Sequence, residues 1–214
     1  MTQPRRALIT LAASALLVLL AGCATPPVAP GSSGAGDASD TSDIGATIAA
    51  PGEVTGQGLV IQTGDAPAQF CLGPVAESAP PQCSGIELAD WNWDSVEGDE
   101  TAGDVTYGSY ALTGTWDGSV FTPTSAMMLA LYDPMPFVDP LLDPENAGDT
   151  SDADLTRIQT EITESAPFVA LESYPQNGYL FVRVIYDDGS IQTWADQKYL
   201  PDVVAIRPAL VDVG

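Results

Sequence analysis

The sequence predicts an α+β fold: a small N-terminal all-β barrel of OB-like type, followed by a small α-β-β-α-β unit. Three observations predict it. Short apolar runs closed by Gly, Pro or Asp crowd residues 51–132, the pattern of an all-β region. Residues 133–150 break every periodicity and read as an inter-domain connector. From Ser151 onward, helical spacing alternates with strand-like runs, as in a mixed unit.

In the first region, Leu59-Val60-Ile61 is closed by Thr63-Gly64-Asp65, and residues 68–72 are stopped by Gly73-Pro74. Cys83 precedes residues 86–91, Ile-Glu-Leu-Ala-Asp-Trp, which roughly alternate. Residues 107–116 and 119–122 flank Asp117-Gly118, the strongest hairpin signal, because Asp-Gly supplies the positive φ angles of a type I′ turn. Residues 126–132 are apolar throughout and fit a further strand or a buried turn of helix. Gly56, Gly58 and Gly114 suit the bends that closure of a barrel needs, with a small sandwich as the alternative arrangement.

In the second region, Ser151 reads as a helix N-cap with Asp154 in the first turn. Leu155, Ile158 and Ile162 then fall at helical spacing until Pro167. Residues 168–171, a turn at Gln176-Asn177-Gly178 and residues 179–186 read as strands. Residues after Asp187-Asp188-Gly189 fit either period. The helical reading, with Ser190 as cap, groups Ile191, Trp194, Ala195 and Lys198 before Leu200-Pro201, and residues 203–206 follow as a buried strand.

The N-terminus carries an address. Arg5 and Arg6 precede residues 7–20, fourteen residues without charge, and a small-residue cut site ends the stretch. That is the pattern of an export signal. The apolar stretch is shorter than the roughly 20 residues that span a bilayer. Arg5-Arg6 fits a twin-arginine signal only in part, so general secretion is the expected route. Leu20-Ala21-Gly22-Cys23 resembles the lipobox of bacterial lipoproteins. The resemblance implies cleavage after residue 22 and a diacylglyceryl group on the Cys23 sulfur, an anchor at the extracytoplasmic face of the cell membrane. Residues 23–50, rich in Pro, Gly, Ser, Ala and Asp, then read as a disordered tether.

After Cys23 come four basic residues (Arg157, Arg183, Lys198, Arg207) against 29 acidic ones, a formal charge of −25. Such a chain repels phosphate backbones, which excludes nucleic acid as a partner. With Cys23 acylated, Cys71 and Cys83 remain as an even pair outside the reducing cytoplasm, which argues for a disulfide.

With no histidine, Ser-His and Cys-His nucleophiles and imidazole-metal motifs are absent, and no phosphate-cradling glycine loop occurs. No catalytic residue, metal ligand or cofactor is assigned. Two acidic groups fit calcium loosely: Asp143, Glu145, Asp149 and Asp154 around Gly148, and Asp94, Glu97, Asp99, Glu100 and Asp104. Ala147 stands at a ligand position of the first, so weak, non-structural binding is the most expected of either. Trp91-Asn92-Trp93 is the candidate ligand platform: on a strand the two rings would share a face beside an amide, the chemistry that holds a sugar ring. The competing reading has one Trp packed over the disulfide and the other filling the core.

Cys71-Leu72-Gly73, Pro80-Pro81-Gln82-Cys83, Trp93-Asp94, residues 114–121 and the closing residues 196–210 resemble a group of actinobacterial secreted lipoproteins. That resemblance implies an exported location and brings no activity. The sequence thus predicts a membrane-anchored, non-catalytic binding or scaffolding module whose partner is a cell-wall glycan or a protein. The alternative is a carboxylate-dependent cell-wall glycan hydrolase. An enzyme of that kind needs two carboxylates facing each other in a concavity, whereas a binding module needs an exposed apolar patch without them.

Overall fold

The computed structural model describes residues 48–133 and 137–214, so the signal, Cys23 and almost all of the tether lie outside the described residues. The fold is mixed α/β, mostly sheet, with two helices among the described residues. The first region holds β1 (Glu53–Thr63), β2 (Gln69–Cys71), β3 (Ile86–Leu88), β4 (Glu100–Ala102), β5 (Val105–Trp116) and β6 (Val120–Met128). The second holds α1 (Asp152–Ser165), β7 (Ala170–Gln176), β8 (Tyr179–Val184), α2 (Ser190–Tyr199), β9 (Val204–Pro208) and β10 (Val211–Asp212).

β1 runs antiparallel along β5 from Glu53 opposite Thr115 to Thr63 opposite Val105. Its residues Leu59 to Ile61 also pair with β2. β2 pairs with β3, β3 runs parallel to β6, and β6 returns antiparallel to β5. The pairings β1–β2–β3–β6–β5–β1 therefore form a closed ring of hydrogen-bonded neighbours. Period-2 geometry fills its inside: along β5, Gly108, Tyr110, Leu112, Gly114 and Trp116 are buried at every second position. Val54, Val60, Phe70, Leu88 and Phe121 complete this core. Gly114 lies at a register shift, where an added Cβ would stand 2.2 Å from the Thr122 carbonyl oxygen, so the strands approach there only without a side chain.

Three local expectations need correction. β1 spans 11 residues rather than the short apolar run, because pairing with β5 holds its polar first half. The β5–β6 turn is not type I′. That turn needs positive φ at both central residues, and only Gly118 has it. The Asp117 carboxylate holds the turn instead, accepting from the N–H groups of Ser119 (2.8 Å) and Val120 (2.7 Å). Residues 126–132 continue β6 and then make a 3-10 turn, and none of them is buried.

α1 begins where the cap residue sits: the Ser151 hydroxyl accepts from the Asp154 N–H, and Leu155, Ile158 and Ile162 are buried. α2 is a helix rather than a strand, burying Ile191 and Ala195. Ser190 is its first residue and not its cap. Asp187 accepts from the N–H groups of Gly189 (3.0 Å) and Ile191 (2.9 Å), and Asp188 accepts from Ser190 (3.0 Å). The three-stranded sheet has the order β7-β8-β9, antiparallel then parallel. The β7–β8 turn carries positive φ at Asn177 and Gly178, as a type I′ turn requires. Leu180, Val182 and Val184 of β8 meet the buried faces of both helices.

The opposite face of that sheet is covered by the stretch read as a connector. Leu141 packs against Tyr179, Phe181 and Ala205. The Asn177 amide donates to the carbonyls of Leu141 and Asp143, each at 2.8 Å, and the Tyr179 hydroxyl donates to the Asn146 carbonyl at 2.8 Å. Gly148 and Gly178 touch backbone to backbone: a Cβ on Gly178 would lie 2.1 Å from the Gly148 oxygen. β10 then crosses the boundary drawn at 133–150 by pairing with β1, and Tyr186, Ala209 and Leu210 join the first core. The described residues fall within one compact unit.

Candidate functional site

A row of charged side chains crosses the second face of the three-stranded sheet. Glu172 of β7 stands opposite Arg183 of β8, and Arg183 opposite Arg207 of β9. Asp139, from the covering stretch, closes the row. Its carboxylate accepts from Nε and Nη2 of Arg207, the latter at 3.0 Å, and from the Leu141 N–H at 3.0 Å. The third nitrogen of Arg207, Nη1, donates to the Ile206 carbonyl at 2.8 Å, and the guanidinium lies 5.3 Å from the centre of the Phe181 ring. Each of the three guanidinium nitrogens of Arg207 thus holds an acceptor. Arg183 is less engaged: among the described residues its one carboxylate neighbour is Glu172, with Nη1 and Oε1 3.5 Å apart and both side chains 37% exposed.

Asp139 is a buried carboxylate, and the Arg207 hydrogen bonds hold its carboxyl below the usual range against the opposing push of burial. A carboxyl lowered in the folded state contributes stability above its unfolded pKa, about 3.9, and loses it as pH falls through the lower folded value. Urea unfolding should therefore show Asp139→Asn destabilised at pH 6. The gap between variant and parent should narrow as pH falls below about 3.9 and close as pH passes the lower folded value. A gap that persists unchanged to pH 2.5 would contradict this.

Beside the arginines lies a groove of about 620 Å³ between β1, the end of β9 and β10. Thr55, Gly56 and Gln57 of β1 form one side. Tyr132, Phe137, Pro208, Ala209 and Val211 supply apolar lining, and Arg183 and Arg207 the polar end. Phe137 is 80% exposed and Val211 51%. Among the described residues no carboxylate lines the groove, in a chain with 29 of them.

The residues expected to form a platform do come together, though not on a strand. Trp91 precedes a 3-10 turn over Trp93–Ser95. The two indoles meet edge to face at 5.4 Å, and Trp91 meets the buried Tyr110 ring at 5.4 Å. Both pack against the first core. Trp93 Nε1 donates to Gln62 Oε1 at 2.6 Å, whereas Trp91 Nε1 and the Tyr110 hydroxyl are buried without a partner among the described residues. The Asn92 side chain accepts from the Asp94 N–H at 2.9 Å and so caps the turn. Trp91 and Asn92 edge a shallow cleft of about 250 Å³.

Cys71 and Cys83 form a disulfide with Cα atoms 6.1 Å apart. Among the described residues, no three His, Cys, Asp or Glu side chains are placed to hold a metal ion. Asp143 accepts from the Glu145 N–H, Asp154 from the Ser151 hydroxyl, and Glu100 from the Tyr107 hydroxyl. Asp143 and Asp154 thus serve a turn and a cap, and Glu100 a cross-strand pair. Of the three concavities described, none carries two carboxylates in its lining.

The groove was not anticipated from the sequence. The available signal was modest: of the four basic residues after Cys23, Arg183 falls in one predicted strand and Arg207 directly follows another. Only the parallel register of β8 and β9 makes them neighbours. Compared with protein-family models, curated proteins and solved structures, the chain matches none.

Proposed function

We propose that this chain is a lipid-anchored, extracytoplasmic binding or scaffolding module without catalytic activity. The anchor rests on Leu20-Ala21-Gly22-Cys23 behind an uncharged stretch. Two acyl chains on Cys23 would hold the body stably, where a single chain gives only marginal binding. The formal charge of −25 favours a domain kept off an anionic surface on its tether. The order of pairings, with β3 parallel to β6, supports reading the ring of strands as an OB-like barrel. Its charge sets it apart from the nucleic-acid-binding members of that architecture.

The observation that carries the binding reading is the groove: an apolar concavity with exposed Phe137 and Val211 and, among the described residues, no carboxylate. A glycan hydrolase would need two carboxylates there. The Trp91, Asn92 and Trp93 cluster beside its shallow cleft is the second surface for a cell-wall glycan or protein partner.

Two arms test this. In bacterial cells, the parent chain should take up labelled palmitate and sediment with membranes, and Cys23→Ala should lose the label and leave the membrane fraction. With purified peptidoglycan or arabinogalactan fragments, no reducing ends should appear over time. An unlabelled parent chain would contradict the anchor, and released reducing ends would turn the reading to a hydrolase.

A further inference from the structure

We infer that the groove between β1, β9 and β10 binds a monocarboxylate with an extended apolar body, its head on Arg183. The inference rests on the binding-module reading and names its ligand class. At about 620 Å³ the groove lies within the roughly 300–1,000 Å³ of small-molecule sites.

The head is specified by the unequal engagement of two neighbouring guanidinium groups. Arg207 spends Nε and Nη2 on Asp139 and Nη1 on a carbonyl. Arg183 has only the half-exposed Glu172 at 3.5 Å, and no hydrogen bond among the described residues engages its Nε or Nη2. An exposed pair of that kind contributes roughly 0–1 kcal/mol, so exchanging Glu172 for a ligand carboxylate costs little. The Nε–Nη2 edge offers two parallel N–H donors, which match the two oxygens of one carboxylate. Arg207, one strand away, adds positive charge, with each of its three nitrogens already holding one acceptor.

The body is specified by the walls. Phe137 and Val211 leave apolar surface in water, and an alkyl chain along them would cover it. Charge selects among occupants. A second copy would bring another −25, and an anionic bilayer would repel the chain over its whole face. A single carboxylate is screened from distant acidic groups beyond about 8–10 Å at ordinary salt. The described lining of the groove has no acidic group, and the two carboxylates nearest the head, Glu172 and Asp139, are each paired with an arginine.

The test uses the full chain with Cys23→Ser, so that no acyl group of its own competes, titrated with decanoate and with decanol and followed by 15N NMR. Decanoate should shift the Arg183 Nε–H and the amides of Ala209 and Val211. Decanol should bind about tenfold more weakly or worse, the worth of a charge-assisted hydrogen bond. Arg183→Gln should weaken decanoate by a similar factor and leave decanol unchanged, and Arg183→Lys should recover part of the loss. Val211→Glu, on an exposed edge position, should also weaken decanoate while the melting temperature stays near the parent's. Equal affinity for acid and alcohol, decanoate shifts unaffected by Arg183→Gln, or a dimer that buries Phe137 and Val211 would each overturn the inference. So would absence of decanoate binding, which leaves palmitate labelling and glycan binding untouched and thus separates this failure from that of the binding-module reading.

Discussion

Phe121→Ala should lower the unfolding free energy by about 3–5 kcal/mol, the usual cost of emptying a buried aromatic site. Phe121 is 0% exposed, and its ring stands 5.7 Å from that of Phe70. It also sits opposite Leu88 in the parallel β3–β6 pairing that closes the ring of strands. Gly114 abuts the same ring, so the neighbouring backbone has no side chain with which to fill the space. Domains of this size have about 5–15 kcal/mol in total, so the variant should be partly unfolded near 37 °C. Urea midpoints checked by far-UV circular dichroism measure this. A loss under about 1 kcal/mol would mean that the core collapses around the site and that the β3–β6 closure does not depend on this ring.

Removing the disulfide should have the next largest effect. Cys71 ends β2 and is buried, and it is joined to Cys83 across a sequence separation of 12. The only pairing between them, among the described residues, is the isolated bridge of Ala76 with Gln82. Little else restrains that loop in the folded chain, and nothing restrains it in the unfolded one. Cross-linking a loop of this length stabilises by about 3 kcal/mol in the chain-entropy model. Cys71→Ala with Cys83→Ala should therefore lose about that much, and dithiothreitol should destabilise the parent equally while leaving the double variant unchanged. If reductant shifted both alike, the bond would not be the cause.

The elements that the sequence disclosed are those whose information is local. α1 could be read because Ser151, Asp154 and the spacing of Leu155, Ile158 and Ile162 lie within one stretch and meet one face. The Asn177-Gly178 turn could be read because positive φ is a property of two residues. The misses share a different cause. Leu141, Asp139 and Asn146 carry no periodicity, because they cover the sheet through contacts to residues distant in the chain, among them Phe181, Arg207 and Tyr179. β10 is two residues long and exists because β1 accepts it. Asp117 appeared as half of an Asp-Gly turn, yet its carboxylate rather than its φ angle shapes the loop. The groove follows the same rule, since Arg183 and Arg207 become neighbours only through strand register. Trp91 and Trp93 were recognisable as a pair, but Tyr110, the ring they pack against, lies too far along the chain to be inferred.

The measurement that bears most directly on the whole account is the intact mass of the protein purified from its native membrane. The chain should begin at Cys23 and be heavier than its residues by a diacylglyceryl group that hydroxylamine leaves in place at the thioether. A chain that still carries residues 1–22, or one whose Cys23 sulfur is free, would contradict it.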